Sequence, residues 1–302
     1  MATSRRRATR RRAPRVIAAL VALVVVVLVV VTLVGRDSGS PSGGSGGSAD
    51  GSGASSDPTA SGDPTATPPP PRPQAGACRQ LGYDAAGAST DDTATVPCRR
   101  PHTALTVAVE DLPRGPKGGL MDVAGPLSQA RVASGCRAAV ADLLGGSVEQ
   151  RRLSMLEAVW FLPTEEELAA GADWYRCDVV ALAGPDRLAP LTGVLRGIVG
   201  DDRATRYAVC GTAEPGAADF ERVVCSAQHS WRAISTVDLA SLAGRDGAYP
   251  GPAAVREAGQ DPCQTAGQDA ASDPLQYRWG YEWPTRAQWG AGQTYGVCWA
   301  PA

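Results

Sequence analysis

Histidine and lysine are nearly missing from this chain. It holds two histidines, His102 and His229, and one lysine, Lys117, against 28 arginines. The arginine bias reads as codon usage rather than chemistry. Closely spaced cysteines are missing as well, since the nearest two, Cys210 and Cys225, stand 15 residues apart. That leaves no C-x-x-C pair of the kind redox catalysts use to lower a thiol pKa. It also leaves no paired Cys and His ligands for a structural zinc, so no metal and no other cofactor is expected. No G-x-S-x-G elbow occurs in residues 77–302, and Ser134 falls inside a predicted helix, so a serine hydrolase triad lacks its nucleophile. Basic excess is absent from the C-terminal part. Residues 1–76 take nine arginines and four aspartates, leaving 20 basic and 27 acidic residues beyond them, a net charge near −7. Such a balance argues against nucleic acid as a partner.

One long apolar run is present. Residues 16–34, VIAALVALVVVVLVVVTLV, are 19 consecutive uncharged positions, close to the roughly 20 that span a bilayer as a helix. Residues 1–15 carry seven arginines, against Arg36 and Asp37 just after the run. This asymmetry predicts a single-pass cell-membrane protein with its N-terminus inside and its C-terminal domain outside. Residues 35–76 are built from Gly, Ser, Thr, Asp, Ala and Pro and end in PPPPRP. With no aromatic residue and no periodicity they read as a disordered linker. All eight cysteines then lie in an oxidising compartment, where an even count reads as disulfides.

The remaining residues are written twice. CRRPH at 98–102 aligns with CSAQH at 225–229, and Asp111-Leu112 and Asp238-Leu239 follow nine residues past each histidine. Cys136 and Cys263 each stand 38 residues past the first cysteine of their motif. WFLPTEEELAAGADWYRC (160–177) aligns without gaps to YEWPTRAQWGAGQTYGVC (281–298). These spacings predict a tandem duplication over 77–186 and 203–302, joined by a connector at 187–202. Each copy is expected to be a small α+β unit, a helix on a mostly antiparallel sheet, with two disulfides. Leu105, Val107 and Val109 alternate as in a strand, and WRAISTV is its counterpart. Residues 126–146 read as a helix with Val132, Cys136, Val140 and Leu143 on one face. In the second copy Asp261-Pro262 predicts a break in that helix. Residues 153–163 and 275–284 read as strands. Thr164 and Thr285 are expected N-caps, and Gly171 and Gly292 C-caps, before a last strand carrying the fourth cysteine.

Val96, Pro97, Cys98, Pro101 and His102, followed by Pro284, Trp289, Gly292 and Cys298, resemble the septum-formation domain of actinobacterial membrane proteins. The family's glutamate three residues after the histidine is replaced by Leu105 and Arg232. The resemblance implies a single anchor, an external Cys-rich domain and a link to envelope or division biology, without a reaction or a ligand.

Four cysteines allow three connectivities per copy. First-with-second and third-with-fourth is preferred, giving Cys78–Cys98, Cys136–Cys177, Cys210–Cys225 and Cys263–Cys298, with crossed pairings left open. His102 and His229 read first as rings that open a strand and bond backbone at a stapled corner, and second as groups facing a ligand. Trp279, Tyr281 and Trp283 share parity on one strand, so one face of it is a candidate surface for protein or carbohydrate. Asp91-Asp92 and Asp201-Asp202 read as solvated turns. They would also be the carboxylates of the competing reading, a cell-wall hydrolase. The sequence points to a non-enzymatic interaction module, whose partner is an envelope or division protein or a cell-wall polymer.

Overall fold

A computed structural model of the chain describes residues 70–302. The expected tail and anchor and most of the linker fall outside the described residues. Among the described residues no helix is long and apolar enough to cross a membrane.

The first half runs β1 (Cys78–Arg79), α1 (Tyr83–Ala86), β2 (Thr95–Val96), β3 (Ala104–Asp111), α2 (Pro126–Leu144), α3 (Val148–Arg152), β4 (Leu156–Phe161), α4 (Glu165–Ala169), β5 (Trp174–Gly184) and β6 (Arg187–Ala189). The second half runs β7 (Val209–Gly211), β8 (Arg222–Val224), β9 (Trp231–Asp238), α5 (Pro252–Asp269), β10 (Gly280–Glu282), α6 (Arg286–Gly290) and β11 (Tyr295–Pro301). The architecture is α+β, and every strand pairing is antiparallel. The first sheet is ordered β2-β1-β3-β5-β4, with β6 added on β5, and the second β8-β7-β9-β11-β10. Read in chain order within each half, the two orders are the same. Even the irregularity repeats. The partner of Cys177 is Ala108 and that of Asp178 is Thr106, just as Cys298 pairs Ser235 and Trp299 pairs Ala233. Each first long strand therefore carries a one-residue bulge at the same place.

One helix covers one face of each sheet. In α2 the buried residues Val132, Cys136, Val140 and Leu144 recur every four positions, and Gly145, at φ 67°, ends the helix where a side chain would be strained. In α5 the stripe is Val255, Gly259, Cys263 and Gly267. Contrary to expectation, α5 is not broken at Asp261-Pro262. Pro262 lies on the exposed side, and the buried stripe, fastened by the Cys263–Cys298 disulfide, carries the helix past a residue that costs about 3 kcal/mol in a helix interior. The short helices α4 and α6 start in matching capping boxes, Thr164 with Glu167 and Thr285 with Gln288. Gly171 (φ 94°) and Gly292 (φ 100°) leave them in the left-handed region. The strand readings at 153–163 and 275–284 shorten to β4 and β10. Residues 153–155 instead join the second half, and 273–276 form a turn.

The four disulfides follow the preferred connectivity: Cys78–Cys98 and Cys210–Cys225 near the sheet edge, Cys136–Cys177 and Cys263–Cys298 from helix to last strand. The stretch read as a connector is built into the core. Leu195, Ile198 and Val199 pack with Val140, Leu144 and Val179, and one apolar cluster continues through Tyr207 and Val209 to Trp231, Val297 and Trp299. A bridge between Ser154 and Ala208 ties the residues leading into β4 to those leading into β7.

Tyr281 is clamped between α5 and β11. A methyl group on Gly259 or on Gly296 would collide with its ring, and its hydroxyl donates to the Val255 carbonyl at 2.8 Å. Gly259→Ala is therefore expected to destabilise the fold by about 2–3 kcal/mol, the upper end for overpacking. A urea midpoint equal to that of the wild type would contradict this clamp.

Candidate functional site

The two C-x-x-x-H corners are built alike. Arg100 N–H donates to the Pro97 carbonyl and Ala227 N–H to the Val224 carbonyl, each at 2.8 Å, closing the same turn. The ring then folds back. His102 Nδ1 lies 2.9 Å from the Arg100 carbonyl oxygen and His229 Nδ1 2.8 Å from that of Ala227. A carbonyl only accepts, so Nδ1 carries a proton in both rings. His102 is buried, and its carbonyl takes the Leu191 N–H of the segment after β6. His229 is half-buried. The spacing of four thus places the cysteine at the start of a turn and the imidazole at its close.

A groove lies beside each corner. The first, about 680 Å³, runs between the linker end (Arg72, Gln74) and Thr95, Pro97 and Cys98. The second, about 500 Å³, is lined by Asp202, Arg203, Thr205, Arg206, Cys225 and Ser226. In both, the chain leading into the first strand of the half forms one wall and the cysteine turn the other.

Across the sheet face turned away from α2 lies a buried ion cluster that the sequence reading missed. Asp91 is not in a solvated turn. Its side chain is only 2% exposed, and it accepts from Arg176 Nη2 at 2.6 Å and from Thr93 N–H at 3.1 Å. Arg176 Nε lies 3.1 Å from Asp178 Oδ1. Arg79 Nη1 donates to Thr106 Oγ1 at 2.7 Å and Arg79 Nε to the Thr93 carbonyl at 3.2 Å. The Arg176 guanidinium stacks 4.3 Å over the Phe161 ring. Burial pushes the Asp91 carboxyl up, but hydrogen bonds from Thr93 and Arg176 outweigh it and hold it below its ordinary range. Burial raises Asp178, with Arg176 opposing. Burial, then the neighbouring Arg176 charge, lowers Arg79. Each carboxylate has a guanidinium within ion-pairing distance, although Arg176 Nε and both Asp178 oxygens complete no hydrogen bond, and the group is closed to solvent, which suits holding the Asp91 loop in place. One signal was readable. Arg176 and Asp178 flank Cys177 in an otherwise apolar strand, which puts both charges on one face.

The second half fills the same place with aromatics. Counting from the cysteines, Gly211, Ala233, Val297 and Trp299 stand where the first half has Arg79, Thr106, Arg176 and Asp178. Phe220, from the loop between β7 and β8, meets Trp299 edge-on at 5.2 Å. A methyl group on Gly211 would come within 2.7 Å of the Phe220 ring.

The expected aromatic face is a correction. Trp279, Tyr281 and Trp283 do share a side, but it is the side turned to the helix. All three pack on the Cys263–Cys298 disulfide, with Tyr281 buried. Burial pushes the Tyr281 hydroxyl up to about 12. Parity along a strand names a face without saying what covers it. Asp201 caps the turn at 202–207, accepting from Arg203 N–H at 2.8 Å and from the Arg203 side chain at 2.9 Å. Among the described residues no group of His, Cys, Asp and Glu is placed to hold a metal ion.

No curated protein and no solved structure is detectably similar to the chain. The family model described as septum formation matches residues 75–298, from just before the first disulfide to the last cysteine. The chain belongs to the septum-formation family.

Proposed function

We propose that this protein is a non-catalytic interaction module of the cell envelope, anchored by residues 16–34 with residues 77–302 outside, and acting at the division septum. The observation that carries this reading is how its reactive groups are used. The cysteines are joined in disulfides, both imidazoles bond their own turns, and Asp91 is tied to Arg176. Family membership supplies the link to division, and four disulfides suit an oxidising compartment. The two grooves are open shapes for a loop of an envelope or division protein, or for a stretch of wall polymer. The shared strand order and the shared bulge further support a tandem duplication of one ancestral unit.

Imaging of a tagged full-length protein in dividing cells tests the location, with enrichment at the septum expected. Uniform labelling of the envelope through division would remove the septal part of the proposal. Crosslinking through Arg203 or Arg72 variants bearing a photoreactive side chain then identifies what lies in the grooves. Turnover of wall polymer by the purified protein, lost on Asp91→Asn or Asp201→Asn, would favour the hydrolase instead.

A further inference from the structure

The four disulfides differ in what an outside thiol can reach. Cys136, Cys177, Cys263 and Cys298 are each 0% exposed, so both sulfurs of the two helix bridges are sealed in the interior. The edge bridges each turn one cysteine outward. Cys78 and Cys210 are each 1% exposed, whereas Cys98 is exposed and Cys225 half-buried. Cys98 lies in the wall of the first groove, about 680 Å³, and Cys225 in the wall of the second. Access decides which disulfide a thiolate attacks and at which sulfur. By that measure Cys98 ranks first.

Its surroundings favour the same sulfur. Arg99 and Arg100 follow Cys98 directly, and both are exposed. Two guanidiniums draw in an attacking thiolate and stabilise the Cys98 thiolate when it forms. The second groove also holds arginines, but there Arg203 is engaged by Asp201 and Asp202 stands beside it. The strand beneath Cys98 is held without the bridge. Gly76 N–H donates to the Thr106 carbonyl and Thr106 N–H to the Ala77 carbonyl, each at 2.8 Å, so β1 stays on β3 when the bond opens. What the bridge ties down is the turn at 97–100, one wall of the groove.

We propose that Cys98 is a site of thiol–disulfide exchange with a dithiol of the envelope, which releases and refastens this wall of the first groove. The dithiol's place in the envelope rests on the external location proposed above; the chemistry does not. A thiolate of the dithiol attacks Cys98 Sγ, the Cys78–Cys98 bond breaks, and Cys78 leaves as a thiolate that takes up a proton. The second thiol of the dithiol, once deprotonated, attacks its own neighbour in the mixed disulfide and releases Cys98. The dithiol ends as a disulfide, and its two electrons and two protons rest on Cys78 and Cys98. The test is pulse alkylation of the purified full chain during native reduction by dithiothreitol, read by peptide mass mapping. Labelling of Cys78 and Cys98 at least about tenfold faster than of the other six cysteines is the expected result, with circular dichroism unchanged. With glutathione as a monothiol probe, the mixed disulfide is expected on Cys98, and Arg99→Ala with Arg100→Ala is expected to slow its formation. Opening of all four bridges together, opening of Cys210–Cys225 first, or a mixed disulfide on Cys78 overturns the proposal. These rates are independent of where the protein lies in the cell, so a failure of septal imaging leaves them untouched.

Discussion

Produced as separate chains, residues 70–193 and 194–302 are each expected to remain unfolded, although each contains a full set of strands, a helix and two disulfides. The reason is where the interior lies. Met155 N–H donates to the Tyr207 carbonyl and Val209 N–H to the Leu153 carbonyl, so backbone bonding crosses between the halves. Val140, Leu144, Met155 and Val179, each less than a tenth exposed, are covered in part by Leu195, Ile198, Val199 and Tyr207. Exposing four such side chains completely would forfeit about 6–12 kcal/mol, and even about half of that is large against a total stability of about 5–15 kcal/mol for a whole domain. The other piece loses the same contacts from its side, leaving Tyr207, Val209 and Trp231 against water. A single cooperative unfolding transition in the intact protein, with flat urea curves for both pieces, is the expected pattern. A sharp transition in either piece would show that the shared cluster is dispensable.

The second large effect is expected at the ion cluster. Arg176→Met removes the guanidinium that serves both Asp91 and Asp178, leaving two interior carboxylates without it. Breaking a buried pair on one side typically costs about 3–5 kcal/mol. Discharging the group as a whole, with Arg79→Met, Asp91→Leu, Arg176→Met and Asp178→Leu together, is expected to cost much less, because no charge is then stranded. A quadruple variant as unstable as the single one would mean that the cluster holds its loop through hydrogen bonds alone. The acid limb follows in sign. Asp91 has a lowered folded pKa, so its contribution is fully present above the ordinary aspartate range and is lost as pH falls through the folded value. Asp91→Asn should flatten that acid limb. Asp178, raised by burial, contributes in the opposite sense. Its share is present below the ordinary range and is lost as pH rises through its folded value.

Features that depend on a few neighbouring residues were legible in the sequence. Thr164 and Thr285 announce their helices by a box closed within four residues, and Cys136 declares its face by the spacing of Val132 and Val140. The disulfide pairing was legible in part, because the written repeat divides eight cysteines into two sets of four and cuts about 105 possible pairings to three per copy, with the crossed ones still open. What was not legible depends on residues far apart in the chain. Leu195, Ile198 and Val199 sit in a stretch with no periodicity, and only the folded α2 shows them a surface to seal. Asp91 stands 85 residues from Arg176, and nothing near it says that it is buried. Pro262 signals a break by local rules, and the rules lose to a stripe of buried contacts and a covalent staple. For the candidate site, the corners could be located from C-x-x-x-H alone, but the grooves beside them could not. Each groove needs the preceding segment, Arg72 in one and Arg203 in the other, laid against the turn.

The matching bulges in β3 and β9 hold Asp178 and Trp299 at the same station of two otherwise parallel frames, one ionic inside and one aromatic. These interiors respond differently to heat. The desolvation penalty of buried charges falls as temperature rises, whereas apolar burial approaches a plateau. Warming therefore shifts the balance of cohesion toward the first half. A molecule expected to unfold as one body thus carries two thermal coefficients within it.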